Sequence, residues 1–269
     1  MNVVGAVSAV GGSRPNEDRY GHTDTLAWVI DGATDLEPDS FLPATSDVQW
    51  LADQVGGYLR QRAVTAGLGA REVLTRISGR IGADLRELGF PPDRIHPTCS
   101  IGLLVVGGEA LEMCRVGDPT CVALGRQEVT LSTDFFSRQE SRAVGAAGSL
   151  GLDDREVRRG IVERRQQYIE GQLAESVFSG HPNATLTFQS ARLAVGSVSH
   201  VLLCSDGFAR AVVDYRLYRD WRTLVLAARD QGLPAVAEAI RAHEKKAVHL
   251  AAAGHFKKSD DATAIIISV

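Results

Sequence analysis

The 269-residue sequence has no uninterrupted apolar stretch long enough to cross a bilayer, so a membrane-spanning reading is set aside at the outset. It also lacks a surplus of positive charge. The 29 lysines and arginines face 33 aspartates and glutamates, a formal net charge of −4, which provides no general basic field for nucleic acid. Cysteine is sparse, and Cys99, Cys114, Cys121 and Cys204 form no CxxC pair. Each lies in an apolar run, where a free thiol behaves as a small buried hydrophobe, so core packing is expected rather than a redox role. None of the seven histidines shows an HxxxH or other ligand spacing, and His22, His96, His181 and His255 read as surface or loop residues. No linker rich in proline, glycine and serine divides the chain, so residues 1–269 read as one domain. Residues 1–12 lack the basic start of a secretory signal, and together with reduced cysteines this gives a cytoplasmic expectation.

What is present is ample core material: 44% hydrophobic against 23% charged residues, which excludes a disordered or fibrous class. Apolar runs at residues 3–10 and 26–30 read as strands. Ser46 is a candidate N-cap for a helix carrying Val48, Leu51, Val55 and Leu59 at helical spacing, and Leu74, Ile77, Ile81, Leu85 and Leu88 mark a second helix. Each shows one apolar stripe opposite a charged face, as suits a helix covering a sheet. Residues 98–131 read as an antiparallel meander with turns at Gly107-Gly108 and at residues 117–119. The segment 137–183 is less regular and reads as a lid or flap insertion that touches substrate. Strands resume at Leu186 and at residues 200–204, two helices follow between residues 213 and 252, and residues 264–269 form a last strand. Strands bracketing two separate helix pairs predict a helix, sheet, sheet, helix layering of α+β class rather than a doubly wound α/β fold.

Four acidic points stand next to these strands: Glu17-Asp18, Asp31-Gly32, Asp206-Gly207 and Asp260-Asp261. Any one alone is an ordinary turn. Together, at strand ends where backbone turns and oxygen ligands converge, they outline a carboxylate site for hard divalent cations. Two such ions about 3.5–4 Å apart lower the pKa of a shared water and align it with the phosphorus of a phosphoester, so hydrolysis is direct. No activated nucleophile competes with that route, since Cys204 lies in a strand with no base paired to it in sequence.

Taken in order, the acidic points resemble the type 2C, metal-dependent protein serine/threonine phosphatases over nearly the whole chain. Asn16-Glu17-Asp18 is similar to the family's NED signature, Val29-Ile30-Asp31-Gly32 to its first DG motif and Val116-Gly117-Asp118 to its VGDS turn. Leu203-Cys204-Ser205-Asp206-Gly207 is similar to its LxSDG motif and Asp260-Asp261-Ala262-Thr263 to its closing DNxT. The resemblance implies a four-layer sandwich of two packed antiparallel β-sheets flanked by α-helices. It implies that Asp31 bridges two Mn²⁺ or Mg²⁺ ions, with Glu17 and the Gly32 carbonyl on one side and Asp206 and Asp260 on the other. Asp18 then orients bound water, and Asp118 with Asp206 holds a weaker third ion. Asp31, Asp206 and a phosphate-binding arginine form the catalytic set.

Three departures from the family pattern bear on that set. The family places the phosphate-binding arginine four positions before the NED glutamate. Ser13 stands there, and the role is assigned to its neighbour Arg14. Ala33-Thr34 replaces the histidine and glycine common after DG, and Pro119-Thr120 replaces Ser-Arg after VGD. The cluster Arg155, Arg158, Arg159, Arg164 and Arg165 either docks an acidic phosphoprotein or forms a solvated helical face. The leading expectation is a phosphatase acting on phosphoserine and phosphothreonine in proteins, with a Ser/Thr kinase or its target as partner and neither nucleic acid nor membrane. The alternatives are a catalytically weak or inactive phosphoprotein-binding module of the same fold, and a phosphatase for small phosphoesters.

Overall fold

Alternation along the strands sorts their side chains between two faces, and the sorting builds the protein in layers. The computed structural model describes residues 1–12, 15–147, 154–246 and 259–269. One five-stranded antiparallel sheet has the order β2 (Arg19–His22), β3 (Leu26–Gly32), β4 (Cys99–Gly107), β5 (Ala110–Val116) and β8 (Gln189–Ala194). The other runs β1 (Asn2–Ala9), β10 (Ala262–Ser268), β9 (Val198–Cys204), β6 (Thr120–Gly125) and β7 (Glu128–Leu131). In β3, Trp28 and Ile30 face outward into a core shared with α1 (Asp47–Arg60) and α3 (Ala70–Glu87), while Ala27 and Val29 face the second sheet. In β9, Leu202 and Cys204 face α6 (Asp206–Val213), α7 (Trp221–Gln231) and α8 (Leu233–Lys246), while Val201 and Leu203 face the first sheet. The architecture is therefore the α+β sandwich of two packed antiparallel sheets with helices on both outer faces. Among the described residues no helix is long and apolar enough to cross a membrane.

Both long helices of the first layer follow the expected stripes. Ser46 caps α1, its hydroxyl accepting from the Gln49 amide at 3.1 Å, and Val48, Leu51, Val55 and Leu59 are buried. In α3, Leu74, Ile77, Ile81 and Leu85 are buried, whereas Leu88 has passed the last turn and is 44% exposed. The helix pair expected after residue 213 is α7 and α8.

The meander is corrected. Strands β4 and β5 form a hairpin in the first sheet, but the chain then leaves that sheet and β6 pairs with β9 and β7 in the second. Gly117 makes the departure possible. Its φ of +81° is in the left-handed region, and a Cβ there would lie 2.0 Å from the Ser100 hydroxyl oxygen, so only glycine turns the chain this tightly against β4. Among the elements without an expectation are β2, the one-turn α2 (Arg62–Thr65) and α6, and the strand placed at Leu186 begins at Gln189. The less regular segment contains α4 (Phe135–Ala147) and α5 (Arg155–Ile169).

Candidate active site

Strand register brings the acidic points to one edge of the sandwich. Thr120 and Ala264 both pair with Cys204, so Asp118 before β6, Asp206 after β9 and Asp260 before β10 leave the second sheet at the same end. Asp31 and Gly32 end β3 beside Ser100 and Cys99 of β4. The sheets meet where the Asp206 amide, at the N-terminus of α6, donates to Asp31 Oδ2 at 3.4 Å. A carboxylate at that helix end also complements the helix dipole.

Asp261, which had no role in the sequence reading, ties the first acidic loop into place. It accepts from the Gly11 amide at 2.8 Å and the Glu17 amide at 2.9 Å. Glu17 accepts from the Ser46 hydroxyl at 3.0 Å, so the residue that caps α1 also orients a proposed ligand. Gly32 sits so close to Glu17 that a Cβ would lie 2.6 Å from the Glu17 carbonyl oxygen, and a larger residue would push the two apart. Ser205 exchanges hydrogen bonds with the backbone of Thr263 and fixes α6 to β10.

The electrostatics are those of crowded, desolvated carboxylates. Burial pushes Asp31 well above the ordinary carboxylate range, and Asp18, Asp206, Asp118 and Asp260 add repulsion in that order. Asp18 is also raised by burial and then by Asp261, against the pull of the Thr263 and Ser205 hydroxyls, and its buried Oδ2 has no hydrogen-bond partner among the described residues. Burial raises Asp118, opposed by the Ser100 hydroxyl and by Arg115. Asp206 is pushed up to about 7 by burial and then by Asp260, with Arg210 working against them. Arg210 is itself buried, 3.4 Å from Asp260 Oδ2. Burial disfavours its charge, but Asp206 and Asp260 outweigh that and hold the guanidinium more firmly protonated than usual.

Hard oxygen donors, mutual repulsion and an orphaned buried carboxylate oxygen fit divalent cations. Among the described residues, however, no three His, Cys, Asp or Glu side chains already converge as a closed ion cage. The thiols offer no alternative nucleophile: all four are free and buried, and burial raises the Cys204 thiol well above its ordinary value.

Three of the carboxylates, Asp31, Asp118 and Asp260, line the base of a cavity of about 560 Å³. Helices α4 and α5 form the opposite wall with Phe136, Ile161, Arg165 and Tyr168. The arginine cluster is thus not one uniform solvated face. Arg158 donates to the Leu36 carbonyl, Arg164 to the Gln139 carbonyl at 3.2 Å, and Arg165 is buried with its guanidinium on the Thr34 carbonyl at 2.8 Å. Arg14, assigned the phosphate, lies outside the described residues. Of the histidines, His96 is not a plain surface residue. It is half-buried between Phe90 and His181, with ring centroids 5.0 and 4.5 Å away.

Fold and site together define a two-sheet sandwich carrying a carboxylate cluster at one edge. A family model described as protein phosphatase 2C matches residues 7–241 of the chain. The chain belongs to that family. No curated protein matches it. Solved structures similar in fold include the Mycobacterium tuberculosis serine/threonine phosphatase PstP/Ppp, 16% identical with a TM-score of 0.56 over 98% of this chain and 97% of that one. Stp1 from Staphylococcus aureus is likewise 16% identical, with a TM-score of 0.55 over 98% and 93%. The catalytic domain of PstP in complex with two manganese ions is 19% identical, with a TM-score of 0.51 over 97% and 95%.

Proposed function

We propose that the chain is a metal-dependent phosphoprotein phosphatase that hydrolyses phosphoserine and phosphothreonine by direct attack of water. The observation that carries this reading is the group of raised, mutually repelling carboxylates drawn from both sheets to the floor of one cavity. Membership of the protein phosphatase 2C family supports it, and the two manganese ions of the PstP catalytic domain support the same number here. Asp31 would be the ligand common to two Mn²⁺ or Mg²⁺ ions, Glu17 and the Gly32 carbonyl would hold one, Asp206 and Asp260 the other, and Asp118 with Asp206 a weaker third. When bound, the ions supply Lewis-acid activation of water and neutralise charge on the phosphoryl group.

The chain's own residues do the positioning. Ser46 and Asp261 fix Glu17 and its loop, Arg210 steadies Asp260, and Asp18, whose Oδ2 has no partner among the described residues, is an acceptor for ordered water. Helices α4 and α5, within the segment 137–183, act as a flap that shields the phosphoester from bulk water and touches the substrate. The substrate is a phosphorylated protein in a cytoplasmic kinase circuit. The rival, a phosphoprotein-binding module with little turnover, draws on the lack of a closed cage among the described residues. The small-phosphoester reading draws on a cavity of about 560 Å³, large enough for a small aryl phosphate.

Turnover of a phosphothreonine peptide and of a small aryl phosphate, each with Mn²⁺ and with chelator, separates these readings. The expected result is Mn²⁺-dependent peptide hydrolysis that Asp31→Asn abolishes. No turnover of either substrate under Mn²⁺, or full activity of Asp31→Asn, refutes the phosphatase.

A further inference from the structure

We infer that Arg165, on α5, is the guanidinium that binds the substrate phosphate. This rests on the phosphatase reading above and moves to the flap the role that the family resemblance implied for Arg14.

Three buried arginines border the carboxylate site, and two of them have a carboxylate partner. Arg115 pairs with Glu175 at 2.8 Å and also donates to Gln189 and to the Gly117 and Ser132 carbonyls. Arg210 pairs with Asp260. Arg165 is different. It is as buried as its class requires for a pairing partner, yet among the described residues its single hydrogen bond is to the Thr34 carbonyl. A guanidinium carries five N–H donors in a planar fork shaped for a carboxylate or phosphate. With one donor spent on a neutral carbonyl, the fork is left for an anion.

Its place says which anion. Arg165 lines the same cavity as Asp31, Asp118 and Asp260, and its one bond is to the residue three positions beyond Asp31. Asp31, Asp118 and Asp260 line the cavity as carboxylates beside neutral Thr98 and Ser100, so a phosphate dianion entering it needs positive charge from the cations below and from the wall above. Arg165 supplies the second. Its setting is also rigid. Asp154 caps α5, accepting from the Glu156 and Val157 amides, and Arg158 and Arg164 tie the helix to the Leu36 and Gln139 carbonyls. Burial pulls the Arg165 guanidinium down to about 10, with Asp35 and Glu17 opposing, as expected for a charge without a full counter-ion.

The test uses the Mn²⁺-loaded full chain and inorganic phosphate as the probe. Calorimetry gives phosphate affinity and Mn²⁺ affinity separately, and steady-state assays give kcat and KM for a phosphothreonine peptide. In Arg165→Gln, phosphate binding should weaken at least about 10-fold and kcat/KM should fall about 10²-fold, with Mn²⁺ affinity unchanged. Arg165→Lys, which keeps the charge and loses the fork, should lie between wild type and Arg165→Gln; if the glutamine variant does not fold, the lysine variant decides alone. A purely structural Arg165 would lower the melting temperature and leave phosphate affinity intact, and that result overturns the proposal. So does loss of phosphate binding in Arg14→Gln with retention in Arg165→Gln. Phosphate binding is read without turnover, so a wild type that binds phosphate through Arg165 but hydrolyses nothing refutes the phosphatase reading and leaves this assignment standing.

Discussion

Replacing Arg115 by methionine removes a buried charge while keeping most of the side-chain stem. The residue is 0% exposed and its guanidinium holds four segments together: Glu175 at 2.8 Å, Gln189 at 3.1 Å, the Ser132 carbonyl at 3.3 Å and the Gly117 carbonyl. Arg115→Met leaves the largely buried Glu175 carboxylate without its cation and removes donors from two carbonyls. Stranding one member of a buried ion pair costs about 3–5 kcal/mol, and the lost neutral hydrogen bonds fall within that figure because they do not add independently. Removing both charges in Arg115→Met/Glu175→Leu should recover most of the loss, since an apolar pair of similar volume leaves nothing uncompensated. Urea unfolding of wild type, both single variants and the double variant, all in chelator, gives the cycle. A coupling energy of about 2–4 kcal/mol is expected. A single-variant cost below about 1 kcal/mol, or a double-variant cost equal to the sum of the singles, refutes the reasoning.

Two pH effects follow with opposite sign. Asp206 has a folded value of about 7 against an ordinary 3.8, so in the metal-free protein its contribution is favourable below 3.8 and lost as pH rises through about 7. The full difference corresponds to about 4 kcal/mol, reduced to about 2–4 kcal/mol because the side chain retains some solvent. In chelator at pH 8, Asp206→Asn should therefore melt roughly 5–10 °C above wild type by differential scanning fluorimetry, with the gap closing in acid; equal melting points at pH 8 would sink the idea. His96 runs the other way: burial, then the charge of His181, lower it to about 4, so the neutral ring's contribution is full above 6.5 and lost as pH falls through about 4. The variant His96→Phe, which keeps a ring against Phe90 and His181, should flatten the fall in melting temperature between pH 6.5 and 4. Parallel curves would remove His96 from the acid response.

What could be read from the sequence was what rests on period and on punctuation. The stripes of α1 and α3, the strand ending at Asp31-Gly32 and the layering of sheets and helices all belong to that kind. Strand β2 escaped because Arg19-Tyr20-Gly21-His22 is four residues long and owes its conformation to pairing with β3. Helix α6 escaped because Asp206-Gly207 has the local chemistry of a turn, and only docking on β10 and α8 makes eight residues helical. The departure at Gly117 is invisible to alternation, which reports that a strand is two-faced but not which sheet it joins. The burial of Arg165, named in the sequence only as part of an arginine cluster, was missed for a different reason. On a helix with few apolar residues a charged side chain reads as solvated, and nothing local announces that a cavity wall will enclose it. The metal and phosphate assignments rest on the family resemblance that the motifs carry. The geometry adds that Asp261 and Ser46, both ordinary in sequence, position the loop of Glu17.

Asp31 rises from one sheet and Asp206 and Asp260 from the other, and the interior between the sheets, with Val29, Leu203 and Ile265, lies directly behind them. On the proposed function, the repelling carboxylates without cations would be a wedge at one end of the sandwich, and with cations the same end would be a rivet. Amide hydrogen exchange along β3 and β9 would then gauge occupancy, slowing as cations bind and quickening from that edge inward as they leave.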